Sequence, residues 1–360
     1  MKRRFHSLDG LRGVCALAIL FFHARVLAGS PLFAHAYLSV DMFFLISGFV
    51  LSQAYGTRLT SARDRGAFAV TRIRRLAPSL WFGIVLGVVF QGALVWLARP
   101  GGHVHTLTIL AILAVLNALL IPIAGLFSQS DAFAPNNVSW SLFAEMAVNA
   151  GFAFLSPLMN LRHLAVAVFS SALLFSLIGW QLGTLYFGAH QDSVLLSIPG
   201  AVPTFATGML VHKLWESGKL ERLPRLPPSL ICIGWFVLMA LYSGPVWLDL
   251  MLVLLVSPVL LGLLVRGPDK ISERFVWLGA VSYPLYATHA VILNFVLGAG
   301  LHVRLDGTAP WTLPLTIASC IAVAEFVRRW IEPGARNALA PRSPKPVYAE
   351  IPGDMRIRLF

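Results

Sequence analysis

The sequence has little charge for its length. Only 12% of its 360 residues are Asp, Glu, Lys or Arg, about half the fraction typical of soluble domains. Acidic residues are the scarcer kind, 16 against 28 basic residues, and the formal net charge is +12. This composition excludes an ordinary soluble domain and a disordered chain. It also argues against a nucleic-acid binder, because basic residues that bind phosphate backbones lie on a polar surface.

Cysteine is nearly absent. The three cysteines, Cys15, Cys232 and Cys320, lie far apart in apolar runs. No Cys-x-x-Cys pair or Cys/His metal spacing occurs, and His103 and His105 have no third ligand in register. We therefore predict no disulfide, no metal site and no permanently bound cofactor.

Long apolar runs are what the sequence has instead. Hydrophobic residues make up 57% of the chain, and the runs are long enough for helices that span a bilayer. The expected fold is an all-α polytopic membrane protein of about ten transmembrane helices. The predicted spans lie near 9–28, 37–56, 77–98, 138–158, 163–181, 193–212, 229–243, 246–265, 276–298 and 310–330.

The apolar run 104–124 is either an eleventh span or a re-entrant or interfacial segment. If it does not cross, and the N-terminus is cytoplasmic, 25 of the 28 Lys and Arg residues lie on the cytoplasmic side. If it crosses, only 11 do. The positive-inside rule favours the first topology, which has both termini in the cytoplasm.

The domain organisation is simple. We predict one membrane-embedded domain over residues 1–332. A basic, Pro-containing cytoplasmic tail follows over residues 333–360, where loose order is expected.

Four titratable residues are predicted inside the membrane, where such groups usually serve a function. Helical rise places His23, Asp41, Glu145 and His289 roughly 6–14 Å below the outer face in the ten-span topology. We therefore expect them to share one layer. Arg12 and His23 are eleven residues apart, and eleven steps of 100° return to within about 20° of the same helix face. The two side chains are therefore expected on one side of the helix, about 16 Å apart along its axis.

Several short motifs resemble the membrane-bound acyltransferase family 3. Leu8-Asp9-Gly10-Leu11-Arg12-Gly13 with His23 resembles the opening of that family, and Val40-Asp41-Met42-Phe43-Phe44 resembles its second motif. Later motifs, in the same order, are Arg72-Ile73-Arg74-Arg75-Leu76-Ala77-Pro78, Trp140-Ser141-Leu142-Phe143-Ala144-Glu145 and Ser282-Tyr283-Pro284-Leu285-Tyr286-Ala287-Thr288-His289. The resemblance covers residues 5–330. One departure is Ala147-Val148-Asn149, which replaces the family's usual aromatic pair.

The resemblance implies an enzyme of the bacterial inner membrane. Such an enzyme transfers an acyl group, usually acetyl, from cytoplasmic acyl-CoA to a hydroxyl of an extracytoplasmic glycan or lipid-linked acceptor. It implies that His23 is catalytic with Arg12 as its partner, and that Arg72 and Arg74 serve the CoA end. Arg75 joins them, because Arg suits bidentate contacts with phosphate.

The chemistry requires a base that takes the proton of the acceptor hydroxyl. We expect His23 to be that base or to accept the acyl group first, with Asp41 or Glu145 orienting it. Tyr283 and His289 are accessory candidates. We expect external residues, those of 104–136 above all, to shape the acceptor site.

A second function class fits some of the same residues. Buried His, Asp and Glu side chains also occur in proton-coupled transporters. However, the sequence shows no internal repeat and no paired broken spans, which carriers often have.

Overall fold

The computed structural model describes residues 5–98, 103–123, 131–268, 271–303 and 311–338. In these ranges the regular structure is helical, which confirms the predicted fold class. The α-helices are α1 (His6–Ala28), α2 (Ser39–Tyr55), α3 (Ala62–Ala98), α4 (His103–Ala118), α5 (Ser139–Leu155), α6 (Leu161–Leu182), α7 (Ser197–Glu216), α8 (Pro228–Leu241), α9 (Val246–Met251), α10 (Ser257–Arg266), α11 (Glu273–Val303), α12 (Thr312–Phe326) and α13 (Glu332–Ala338).

Eight helical segments in these ranges are long and apolar enough to cross a membrane. They account for eight of the ten predicted spans; α9 and α10, joined by a π-helical turn, form one of them. The predicted span 229–243 is the shorter helix α8, which has 14 residues. The predicted span 310–330 is α12, which a second π-helical turn continues into α13.

Helix α4, which covers the uncertain run 104–124, runs antiparallel to α3. Gly92 lies opposite Leu107, and the indole N–H of Trp81 donates to the carbonyl of Ala118 at 3.2 Å. An eleventh span would have made the next helix, α5, parallel to α3. The contacts show the opposite direction, because Asn136 lies beside Gly83 while Glu145 pairs with Arg72. Helix α4 therefore adds no crossing.

The predicted tail begins within the described residues. Residues 332–338 form helix α13, and the hydroxyl of Ser79 donates to Glu332 at 2.9 Å. The first six residues of the predicted tail are thus helical, and Glu332, the residue before them, contacts α3. Residues 339–360 lie outside the described residues.

Glycines let α1 and α11 pack closely along a parallel contact. A Cβ at Gly13 would lie 2.6 Å from the backbone of Leu278, and a Cβ at Gly279 would lie 2.3 Å from the carbonyl oxygen of Asp9. Small residues commonly allow such close approach between membrane helices. The contact fixes the register of α1 against α11, and it brings His23 level with His289.

We expect Gly279→Ala to destabilise the protein, because its methyl group overlaps the backbone of α1. The matched control is Gly151→Ala in α5, where a Cβ meets nothing within 4 Å. Alanine there should be neutral or slightly stabilising, since it favours helix by about 1 kcal/mol over glycine. Thermal unfolding in detergent compares the two variants. Equal midpoints would contradict the proposed close packing.

Candidate active site

A large cavity opens at the end of the bundle where α1 begins and α2 ends. It has a volume of about 830 Å³ and is lined by α1, α2, α3, α11 and the α12–α13 junction. Four arginines, Arg12, Arg74, Arg75 and Arg328, face it, against only two acids, Asp9 and Glu332. We call it the mouth cavity. Its excess of guanidinium groups suits an anionic ligand that carries phosphates.

A narrower cavity continues from the mouth cavity into the bundle. It has a volume of about 70 Å³, and it shares Arg12, Arg75 and Tyr283 with the mouth cavity. We call it the inner cavity. Its width suits a thin chain rather than a bulky group.

A partly buried ion pair lies in the wall of the inner cavity. Arg72, which is only 5% exposed, donates through Nη2 to Oε1 of Glu145, and the hydroxyl of Ser47 donates to the same oxygen at 3.3 Å. The Nε of Arg72 is buried and has no hydrogen-bond partner among the described residues. Because Glu145 neutralises one of three nearby arginines, Arg12 and Arg75 leave the inner cavity positive.

Two histidines meet between α1 and α11. The Nε2 of His289 lies 3.1 Å from the Nδ1 of His23. His289 is fully buried, and its Nδ1 lies 3.0 Å and 2.9 Å from the carbonyl oxygens of Leu285 and Tyr286. The Nδ1 of His23 also lies 3.0 Å from the carbonyl oxygen of Ile19.

These contacts determine where the protons of the two rings lie. A carbonyl oxygen only accepts, so Nδ1 of His289 carries a proton, and its Nε2 is an acceptor in the neutral ring. Nδ1 of His23, which faces that Nε2 and the carbonyl of Ile19, must then be the donor. The arrangement leaves the lone pair of the neutral His23 ring on Nε2, where it can take up a proton.

The two histidines line neither the mouth cavity nor the inner cavity. The ring of Tyr286 separates them from the inner cavity, with its centroid 5.8 Å from His289 and 5.7 Å from Phe43. The Tyr286 hydroxyl lies 2.5 Å from the hydroxyl of Ser141, which fixes the ring. Tyr286 and Phe43 thus form a wall one side chain thick.

The structure divides the predicted layer of four titratable residues, and this corrects the sequence expectation. His23 and His289 are together, but Glu145 lies with Arg72 in the arginine layer. Asp41 is 8% exposed and lines a third, small cavity on the other side of Val40 and Phe44. The described contacts of His23 therefore include His289 and a backbone carbonyl, and neither of the carboxylates expected to orient it.

The remaining predicted residues divide between the two positive cavities. Arg12 and Arg75 line both, while Arg74 lines only the mouth and Arg72 only the inner cavity. Tyr283 lines both cavities, and its hydroxyl donates to the carbonyl of Leu76 at 2.6 Å.

Sequence reasoning missed three contributors to this region. Arg328 faces the mouth cavity although it also pairs with Glu325 at 2.7 Å. Ser141 and Tyr286 form the hydrogen bond that fixes the wall. The only available signal for Tyr286 was its position one helical turn before His289, which places both on one face of α11.

Comparisons with known proteins identify the family of the chain. The family model described as an acyltransferase domain matches residues 5–326. Protein 2 in the picA locus of Rhizobium radiobacter is 36% identical over 42% of this chain and 81% of its own length. The exopolysaccharide production protein ExoZ of Rhizobium meliloti (strain 1021) is 27% identical over 86% of this chain and 92% of its own.

A putative O-acetyltransferase of Staphylococcus aureus (strain COL) is 24% identical over 92% of this chain, which spans 57% of that longer protein. No solved structure matches the chain. The fold and the cavities define a multi-pass membrane protein with a cationic cavity near a partly buried histidine pair. The chain belongs to the acyltransferase family 3 of membrane proteins, and its relatives support membrane O-acyltransferase activity.

Proposed function

We propose that this protein moves an acyl group, in the first place acetyl, from acyl-CoA to a hydroxyl of an extracytoplasmic glycan or lipid-linked acceptor. The observation that carries the proposal is the series of cavities. A mouth with four arginines leads into a narrow positive cavity, and that cavity ends one side chain from the histidine pair.

The donor would bind with its two ends in different cavities. The CoA phosphates would contact Arg12, Arg74, Arg75 and Arg328 in the mouth cavity, because guanidinium groups bind phosphate oxygens in pairs. The thioester arm would pass Arg12 and enter the inner cavity. The partly buried ion pair of Arg72 with Glu145 holds the wall of that passage.

The transfer step then needs one base. The Nε2 of His23 takes the proton of the acceptor hydroxyl while the hydroxyl oxygen bonds to the thioester carbonyl carbon. The carbon–sulfur bond breaks, and His23 returns the proton to the CoA sulfur. For the thioester to reach His23, the side chain of Tyr286 or Phe43 must rotate out of the wall.

The orientation follows from charge. The arginine-lined mouth would face the cytoplasm of a bacterium, because the positive-inside rule places 25 of 28 basic residues there. Both termini would then be cytoplasmic, and α1 would end near the outer face of the inner membrane. Acyl-CoA would be available on the correct side.

We expect purified protein in nanodiscs to bind CoA and to release CoA thiol from acetyl-CoA. A thiol reagent measures the release, and competition between CoA and dephospho-CoA tests whether phosphates contact the arginines. Weaker binding of dephospho-CoA would support that contact. If neither acetyl-CoA turnover nor CoA binding is seen in correctly folded protein, the acyltransferase proposal fails and a transporter becomes the better account.

A further inference from the structure

We propose that Asp41 and the aromatic side chains around it form an acceptor subsite, which binds a non-reacting hydroxyl group of a sugar. The inference rests on the proposed function, since it names the substrate class of the acceptor side. It is carried by a third cavity, which we call the outer cavity, and by a buried carboxyl group that faces it.

The outer cavity lies at the opposite end of the bundle from the arginines. It is built where α2, α5 and α7 begin, together with the loop between α6 and α7. This is also the end at which α1 finishes, five residues beyond His23. The donor phosphates and the acceptor would therefore approach from opposite ends, with the histidine pair between them.

Asp41 is the acidic residue that lines this cavity. Its side chain is 8% exposed, and no hydrogen bond joins it to another residue in the described part of the chain. A buried carboxyl group without a partner is costly. A ligand hydroxyl in the cavity would supply the missing hydrogen bond.

Aromatic side chains surround the carboxyl group. Tyr37, Trp140, Tyr186 and Phe187 line the cavity, and the described contacts give no hydrogen bond to the Tyr186 hydroxyl. Sites for small ligands typically combine apolar and aromatic walls with a few polar groups that fix orientation. Aromatic walls suit the C–H bonds of a sugar, while one hydroxyl group of the sugar can donate to Asp41 and accept from Tyr186.

The size of the outer cavity limits what enters it. Its volume is about 20 Å³, and one water-sized group needs roughly 10–15 Å³. The cavity thus holds one hydroxyl or hydroxymethyl group and not a whole ring. The sugar ring would remain at the entrance of the outer cavity, with one of its substituents inside.

The outer cavity is also close to the reacting groups. Val40 and Phe44 form a wall that it shares with the inner cavity. Phe22, the neighbour of His23 in the chain, contacts the rings of Tyr37 and Tyr186 with centroids 5.6 Å and 5.3 Å apart. A sugar anchored at Asp41 can therefore present another of its hydroxyls towards His23.

The test uses methyl β-D-glucopyranoside and methyl β-D-galactopyranoside with the full chain in nanodiscs. We expect Asp41→Asn to raise the KM of the better sugar at least tenfold, because a neutral amide oxygen accepts a weaker hydrogen bond than a carboxylate. Tyr186→Phe should raise it about threefold, because the variant loses a hydrogen bond to the ligand. CoA binding, and CoA release without sugar, should stay within twofold of wild type. Asp192→Asn, the same change at an exposed position of the α6–α7 loop, should alter nothing.

Saturation-transfer difference NMR adds a readout that needs no turnover. Sugar that binds wild type but not Asp41→Asn would support the subsite even if no acyl transfer occurred, in which case only the proposed function fails. Wild-type sugar KM in both variants, or no sugar binding to wild type, would overturn the subsite while leaving CoA release intact. An equal loss with and without sugar in folded Asp41→Asn would also overturn it, because the residue would then act on the donor.

Discussion

His23→Ala should lower the rate of acetyl transfer about a thousandfold while leaving CoA affinity within twofold of wild type. A positioned general base contributes about 10²–10⁴-fold to the rate. In the contact between His23 and His289, the Nε2 atom of His23 carries the lone pair that can act as the base. CoA release with titrated acetyl-CoA measures the rate, and equilibrium binding measures affinity. His163→Ala, at an exposed position of α6, is the matched control.

His289 should act on the same reaction through His23. In His289→Gln the side-chain oxygen can still accept from Nδ1 of His23, whereas in His289→Leu nothing can. We therefore expect the Leu variant to lose most activity and the Gln variant to recover part of it. A merely structural role would predict equal losses.

Chemical modification gives a readout of His23 that does not depend on turnover. Diethyl pyrocarbonate reacts with an unprotonated imidazole nitrogen, and mass spectrometry locates the adduct. The dependence of His23 modification on pH should shift in His289→Leu and return towards wild type in His289→Gln. An unchanged profile in both would contradict the proton positions assigned above.

The second large effect is expected at the partly buried ion pair of Arg72 with Glu145. Arg72→Ala leaves Glu145 without its partner, and breaking a buried pair commonly costs about 3–5 kcal/mol. Both the thermal midpoint and CoA affinity should fall. The double variant Arg72→Met with Glu145→Leu should recover the midpoint, because an apolar pair can replace a buried ion pair without loss, but it should not recover CoA affinity.

This combination separates stability from binding. Arg63→Ala removes the same charge from an exposed position and should leave both properties near wild type. If the double variant bound CoA as wild type does, the Arg72–Glu145 pair would have no part in donor binding. If the double variant failed to recover the thermal midpoint, Arg72 and Glu145 would stabilise the fold through contacts that an apolar pair does not replace.

Much of the fold could be predicted because the bilayer constrains it strongly. Apolar runs located eight of the described membrane-length helices, and charge correctly argued that 104–124 adds no crossing. The pairing of His23 with His289 agrees with their similar predicted depths. Each of these inferences needs only composition, helical rise and a count of charges.

The position of Glu145 could not be predicted in this way. The predicted depth of Glu145 assumes that α5 begins at the outer face of the membrane, but α5 begins deeper in the bundle. Helix α4 carries the chain inwards beside α3, so α5 starts near the level of Gly83, 15 residues before the end of α3. Fifteen residues of helix correspond to about 22 Å, and Glu145 consequently reaches Arg72 instead of His23.

The partners of individual side chains also could not be predicted from the sequence. Asp41 and Glu145 are both acids early in their helices, yet one faces a small aromatic cavity and the other an arginine. Nothing local to either residue separates the two cases. The difference arises from which helices pack around them, and that packing is fixed by distant glycines and aromatic rings.

The glycine contact between α1 and α11 has a consequence for anyone who builds chimaeras of this protein. The close contact at Gly13 and Gly279 fixes the register of the two helices, and His23 and His289 lie ten residues further along each helix. A single inserted residue after either glycine would rotate one imidazole by about 100° away from the other. The two helices therefore form one exchangeable cassette, and a graft of α1 from a relative should carry its own α11.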